Sequence, residues 1–188
     1  SKKASYEKAF KAAFPYTIPV MTGYLFIGMA FGVMIQEKGY NFLWAILMSV
    51  LCYAGSGQYL AVNFFAPGVS LLQVIFMEFM LNIRHIFYGL SLLERFAKMG
   101  KKRLYMIFSL TDETYSLFFV TKVPKDVEEG QFLFAIALLD QLYWIIGSAI
   151  GALLGSVLPI DTTGIDFAMT ALFVVIMVEP VSYTHLRA

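Results

Sequence analysis

Between Gly39 and Met77 the chain carries no Asp, Glu, Lys or Arg, and within the same hydrophobic stretch Glu78, Arg84 and His85 then appear. A charge at the centre of a bilayer costs about 2.5 to 3.5 kcal/mol on insertion scales, so such residues face a bundle interior or a watery path rather than lipid. Two further segments, Ala12 to Gln36 and Gln141 to Ile160, also lack these four residue types. Each has about the ~20 residues that span hydrocarbon. The pattern predicts an all-α, polytopic helical membrane protein with a polar interior.

The first spanning helix follows Lys2, Lys3, Lys8 and Lys11, contains Pro15 and Pro19 near its start, and ends at Gln36-Glu37-Lys38-Gly39. It is too long, and lacks the small-residue cleavage pattern, for a signal peptide. Gly28 and Gly32 form a small-xxx-small face suited to a close helix crossing. The block Phe42 to Leu93 has room for up to three crossings, with breaks expected at Gly55-Ser56-Gly57 and Pro67-Gly68. A basic loop from Arg95 to Arg103 comes next, then Leu104 to Thr121, an apolar segment interrupted by Asp112 and Glu113. Lys122 to Gly130 is a mixed-charge connector, and Gln131 to Leu158 carries Asp140 and the ladder Gly147, Gly151, Gly155.

The positive-inside rule puts the lysine-rich amino terminus and the basic loop in the cytoplasm and the Glu37-Lys38 turn outside. An odd number of crossings between Phe42 and Leu93 follows: three short ones, or one plus a re-entrant segment. Gly28-Met-Ala-Phe-Gly32 resembles Gly147-Ser-Ala-Ile-Gly151, and Gly39-Tyr-Asn-Phe42 resembles Gly164-Ile-Asp-Phe167. On this topology the copies run in opposite senses, the inverted-repeat plan of many secondary transporters. A broken or re-entrant helix is expected near Gly55 to Gly57, where irregular backbone requires a protein-lined cavity. Phe167 to Val178 stops at Glu179-Pro180, half the length of a crossing, and residues 181–188 continue no pattern. The expectation is one transmembrane domain over 1–180, cut at its carboxyl end, and a foreign or disordered tail over 181–188.

Composition agrees: 59% of residues are apolar, 16% aromatic and 14% charged, with a mean hydropathy of +0.71, whereas soluble domains carry roughly 25% charged residues. A net charge of +1, with lysines at segment ends, gives no footprint for nucleic acid. The single cysteine, Cys52, rules out an internal disulfide and any thiolate metal cluster and is read as a small buried hydrophobe. No metal or other cofactor is called for.

Several strings together resemble one family, the AzlC-type branched-chain amino-acid permeases: Ala54-Gly-Ser-Gly-Gln-Tyr-Leu-Ala61, Asn82-Ile-Arg-His-Ile-Phe-Tyr-Gly89, Thr111-Asp-Glu-Thr114 and Asp140-Gln141. The similarity reaches Pro180, and the family usually extends further at its carboxyl end. The resemblance implies a multi-pass exporter of leucine, isoleucine, valine and similar apolar amino acids in the cytoplasmic membrane of a prokaryote. It also implies a partner, a small membrane subunit of the AzlD type.

The residues themselves suggest where the chemistry lies. If Glu78 to Leu90 is one helix, Glu78, Asn82 and His85 share a face and Arg84 stands about 100° from His85. Arg84 suits a carboxylate, of the substrate or of a neighbour, through its planar fork, or it reaches water at a helix end. His85 is a candidate proton relay or a structural hydrogen-bonding group. Gly55, Ser56, Gly57 and Gln58, with Asn82 and Arg84, are the expected substrate-binding set, with Tyr59 and Asn63 nearby. Glu78, His85, Asp112, Glu113 and Asp140 are the expected proton-coupling set, Asp140 pointing at a neighbouring helix. The apolar pocket is expected from Phe, Met and Leu. A Ser56 nucleophile with His85 as base is the enzymatic alternative, disfavoured because no oxyanion helper is identifiable. The absence of repeated charged rings argues against a selective ion pore. A channel or a non-transporting membrane subunit remains the runner-up to a carrier.

Overall fold

A computed structural model describes residues 2–65 and 68–157. The second copy of the short repeat at Gly164 to Phe167, the half-length segment Phe167 to Val178, the tail 181–188 and Pro67 lie outside the described residues. Those described form helices and no strand: α1 (Lys2–Glu37), α2 (Phe42–Leu51), α3 (Ser56–Phe64), α4 (Leu71–Asn82), α5 (Arg84–Ala97), α6 (Lys102–Phe108), α7 (Asp112–Val120) and α8 (Glu129–Val157).

Among the described residues, only α1 and α8 are each long and apolar enough to cross a membrane alone; α4 and α5, bent by 46° at Ile83, together make a third candidate span. The two long helices form the spine. A Cβ on Gly32 would run into the backbone of Ser148 and Ala152, and one on Gly151 into the backbone of Met29. Gly28 and Gly147 are nearly as tight, with a Cβ at 3.1 Å from Ser148 N and 2.8 Å from Leu25 O respectively. Both glycine faces predicted from sequence therefore meet in one seam, where only a residue without a side chain lets the backbones approach.

The direction of that seam corrects the expected repeat. Ser5 donates to Gln131 (2.7 Å), Thr17 Oγ1 pairs with the Tyr143 hydroxyl (3.0 Å), and Gly28 and Gly32 abut Gly147 and Gly151. Contacts advance together along both helices, so α1 and α8 run parallel and the two glycine motifs are not an inverted pair. The inversion lies elsewhere. Tyr40 before α2 and Phe65 after α3 sit ring to ring at 4.7 Å, so α2 and α3 form a hairpin opening at the Glu37-Lys38 end. Its tip reaches inward: Ser49 pairs with Ser148, and Gln141 Nε2 donates to Val50 O. At the opposite end Lys102 lies 4.1 Å from the Tyr6 ring, and Lys8 pairs with Asp126 of the connector. Hence α6 and α7 are a second hairpin, opening at the basic end. The apolar segment Leu104 to Thr121, which would have to cross for the two glycine motifs to run in opposite senses, is instead this hairpin, because the chain turns at Ser109 to Thr111, where Thr111 caps α7.

At 1.5 Å per residue, α2 and α3 are each about half a hydrocarbon thickness, which matches the one-crossing-plus-re-entrant alternative for Phe42 to Leu93. The order is then a crossing helix followed by a hairpin from its far end (α1, then α2–α3), repeated in the opposite sense (α4–α5, then α6–α7), with α8 closing the set. Two apolar clusters lie along this stack. One contains Ala13, Phe96, Met106, Phe118 and Phe132; the other contains Phe31, Ile35, Tyr59, Val62 and Ala152. Polar groups collect between them.

Outward faces are apolar: Leu71, Leu72, Phe76 and Phe87 are exposed, and α4 buries no residue fully. Hydrocarbon is the solvent that makes such a surface stable. Cys52, expected to be buried, is instead exposed, because the buried line here runs through Ala45, Ser49 and Tyr53 and leaves Cys52 beside it on the outer side.

Candidate functional site

Three helix breaks converge on one cavity of about 100 Å³ against the second apolar cluster. Tyr53 to Ser56 come from the tip of the α2–α3 hairpin, Arg84 and His85 from the bend between α4 and α5, and Thr111 to Glu113 from the tip of the α6–α7 hairpin. Ser56 and Asp112 are each the first residue of a helix, so the positive ends of two helix dipoles point at this region, whereas at Arg84 the backbone stays helical through Ile83. Gly55, the N-cap of α3, adopts φ +45° and gives the first turn no side-chain acceptor. Tyr53 also has positive φ, 42°, a conformation that costs a residue with a Cβ about 1 to 2 kcal/mol. Its buried hydroxyl has no hydrogen-bond partner.

The bend at Ile83 has a local cause. Ile86 N bonds Ile83 O at 3.1 Å, a tightened turn, and the Asn82 carbonyl is taken by His85 Nδ1 at 3.1 Å. A side chain entering the helical ladder in this way kinks a helix. The polar face expected on a continuous helix is consequently split. Arg84 and His85 turn to the cavity, while Asn82 Nδ2 donates to Glu78 Oε2 at 3.0 Å and that pair faces Gly57. A Cβ on Gly57 would stand 2.7 Å from Glu78 Oε2, so a larger residue there would displace the Glu78 carboxylate.

Arg84 Nη2 holds Asp112 Oδ2 at 2.9 Å, and the Tyr88 hydroxyl donates to Asp112 Oδ1 at 2.8 Å. Arg84 Nε is buried without a partner, so the guanidinium keeps a donor that its carboxylate neighbour does not use. Below this pair the contact between α5 and α7 continues through stacked Tyr88 and Tyr115 rings, 4.2 Å between centroids, to Arg95, which bonds Phe118 O and Glu129. Glu113 Oε2 and Thr111 Oγ1 each lie 2.7 Å from the Tyr24 hydroxyl. Asp140 is wholly buried and accepts from Thr114 Oγ1 of α7 at 2.7 Å, while its other oxygen has no partner.

Of the residues singled out from sequence, Gly55, Ser56, Arg84, His85, Asp112 and Glu113 line the cavity, whereas Gly57, Gln58, Glu78, Asn82 and Asp140 do not. Gln58 is buried and fully engaged: it accepts from Trp144 Nε1 at 2.9 Å and donates to Ser49 Oγ at 3.2 Å. Ser56 and His85 share the cavity, but His85 Nδ1 is bound to the Asn82 carbonyl rather than to the serine. The apolar wall is Ile27, Trp144 and the rings of Tyr24, Tyr53 and Tyr59, not the Phe, Met and Leu expected. Tyr59 was expected only as a polar group beside the break, and sequence reasoning passed over Tyr24, Tyr53 and Trp144. A usable signal existed, since Tyr24 lies four residues before Gly28 and Trp144 three before Gly147, on the faces of the glycine seam.

Comparison with known proteins gives a consistent result. A family model described as AzlC protein matches residues 19–158. The branched-chain amino acid transport protein AzlC of Bacillus subtilis is 42% identical over 95% of this chain and 70% of its own length. An uncharacterized membrane protein of Haemophilus influenzae is 41% identical over 92% of this chain and 71% of its own, and the inner membrane protein YgaZ of Escherichia coli is 27% identical over 84% and 67%. No solved structure matches. With the family model spanning the seam, all three breaks and the cavity, this membrane protein belongs to the AzlC family.

Proposed function

We propose that the protein is a secondary transporter that exports branched-chain or similar apolar amino acids across the cytoplasmic membrane, coupled to protons, together with a small AzlD-type subunit and with its amino terminus inside. The observation that carries this reading is the meeting of three helix breaks, an arginine and two carboxylates at mid-depth beside an aromatic wall. A zwitterion needs such a set. Its carboxylate would lie against Arg84 and the uncapped first turn of α3, its ammonium against Asp112 or Glu113, and its side chain against Ile27 and Trp144. Discontinuous helices aimed at a midplane substrate are the usual construction of carriers. Substrate identity and the partner rest on the family; coupling rests on the carboxylates at the cavity.

A cavity of about 100 Å³ is smaller than the roughly 150 Å³ that holds benzene in an engineered protein. Admitting leucine therefore requires the hairpin tips to separate, the motion an alternating carrier makes. The test is efflux of radiolabelled leucine from proteoliposomes containing the full-length protein and its small partner, with and without an imposed pH gradient. Concentrative, gradient-dependent efflux is expected, and a channel could not produce it. Arg84→Gln is expected to lower flux by about 100-fold, the scale of a misplaced substrate, at normal protein level. Unchanged flux in that variant would remove Arg84 from the substrate site.

A further inference from the structure

A line of hydroxyl groups joins the carboxylate at the cavity to the one buried in α8. Glu113 is exposed, whereas Tyr24, Thr111, Thr114 and Asp140 are buried. From Glu113 Oε2 the steps are 2.7 Å to the Tyr24 hydroxyl, 2.7 Å to Thr111 Oγ1, 3.0 Å to Thr114 Oγ1 and 2.7 Å to Asp140 Oδ2. Every step is within hydrogen-bond distance, and every intermediate atom belongs to a hydroxyl, which both donates and accepts. Helix α7 needs only Thr111 as its cap, through Thr114 N at 3.2 Å. The Thr114 hydroxyl is not needed for that cap.

We infer that Tyr24, Thr111 and Thr114 form a proton relay between Glu113 and Asp140. The inference rests on the proton-coupled reading above and adds the path to it. With Glu113 protonated and Asp140 ionised, each hydroxyl donates toward Asp140. A concerted shift breaks the O–H bonds of Glu113, Tyr24, Thr111 and Thr114 and forms new ones on Tyr24, Thr111, Thr114 and Asp140. One proton crosses, each hydroxyl ends neutral with its orientation reversed, and no other reactant is needed. The titratable groups facing Asp140 are Tyr53 from the α2–α3 link, Tyr105 from α6, Glu113 from α7 and Tyr143 on α8 itself. Arg84, His85 and Asp112 share the cavity with Glu113. Asp112 has its own donors in Arg84 and Tyr88, leaving Glu113 as the carboxylate joined to the line.

Two fluxes in proteoliposomes of the full-length protein and its partner test this: leucine–leucine exchange at equal pH, which needs no net proton movement, and leucine efflux driven by an imposed pH gradient. Thr114→Val is expected to keep exchange and to lose gradient-driven efflux by about 100-fold, the low end of what a positioned proton-transfer group contributes. Thr114→Ser is expected to restore it. An unchanged ratio of the two fluxes in Thr114→Val, or a parallel loss of both in protein that accumulates normally, overturns the relay. Should Thr114→Val fail to accumulate, Tyr24→Phe interrupts the line and leaves Asp140 its donor; there the same ratio is expected to fall, and an unchanged ratio overturns the relay. A wild-type protein whose efflux ignores the gradient defeats the proton-coupled reading itself and the relay with it, a failure distinct from coupled wild type with coupled Thr114→Val.

Discussion

The α1–α8 seam and the cluster of short helices α2 to α7 are built from the same apolar residues to opposite ends. In the seam, backbone lies on backbone over Gly28, Gly32, Gly147 and Gly151, and no side chain has room to adjust. In the cluster, helices of 7 to 14 residues end in mid-protein, and their ends carry Ser56, Arg84 and Asp112 to the cavity. Isolated helices that short are marginal even in good helix-forming sequence, so the cluster depends on the seam for its position and can move where the seam cannot. Rigidity and polarity are divided between the two regions.

That division is open to attack at its strongest point. Gly151→Leu drives a side chain into the Met29 backbone and is expected to cost about 4 kcal/mol or more, the range reserved for severe core damage. Loss of detergent-extracted protein and of its thermal transition would be the signature, and a normally stable variant would show that the seam is not what holds the molecule together. A middle-sized effect is expected at the bridge between the regions. Gln58→Leu leaves the buried Trp144 Nε1 without an acceptor, which costs about 1 to 3 kcal/mol. The melting temperature should fall while the apparent affinity for leucine stays within about threefold, less than the 1.4 kcal/mol that makes a tenfold change. A selective loss of affinity at unchanged stability would return Gln58 to the substrate site. The smallest effect is expected at Gly23, which lies in α1 with nothing within 4 Å of a Cβ. Gly23→Ala should raise stability by up to about 1 kcal/mol through helix propensity alone, and marked destabilisation there would mean that a partner covers that face.

Legibility followed periodicity and charge. The long apolar helices, the glycine faces and the break at Gly55 to Gly57 are visible in the chain because each is a local pattern with a direct physical cause. Lys2 to Lys11 and the loop Arg95 to Arg103 were expected on one side, and the contacts of Lys102 with Tyr6 and of Lys8 with Asp126 gather the amino terminus, the start of α6 and the connector at one end. The split of the polar face at Ile83 was not legible. It depends on His85 capturing the Asn82 carbonyl, a choice between two acceptable helical geometries. Nor was the return of the chain at Ser109 to Thr111, since an apolar segment of that length reads equally well as a crossing.

By itself the sequence determined the solvent, the helical class, the family and six of the cavity's residues, Gly55, Ser56, Arg84, His85, Asp112 and Glu113, since hydropathy, small-residue spacing and charge in apolar surroundings are properties of the chain. Only the tertiary structure decided that α1 and α8 run parallel, that the inverted units are α1–α3 and α4–α7, and that Gln58, Glu78 and Asn82 turn away from the cavity. Those are questions of which neighbour satisfies each buried polar group, and a buried donor or acceptor takes the partner that folding brings within about 3 Å, wherever that partner stands in the sequence.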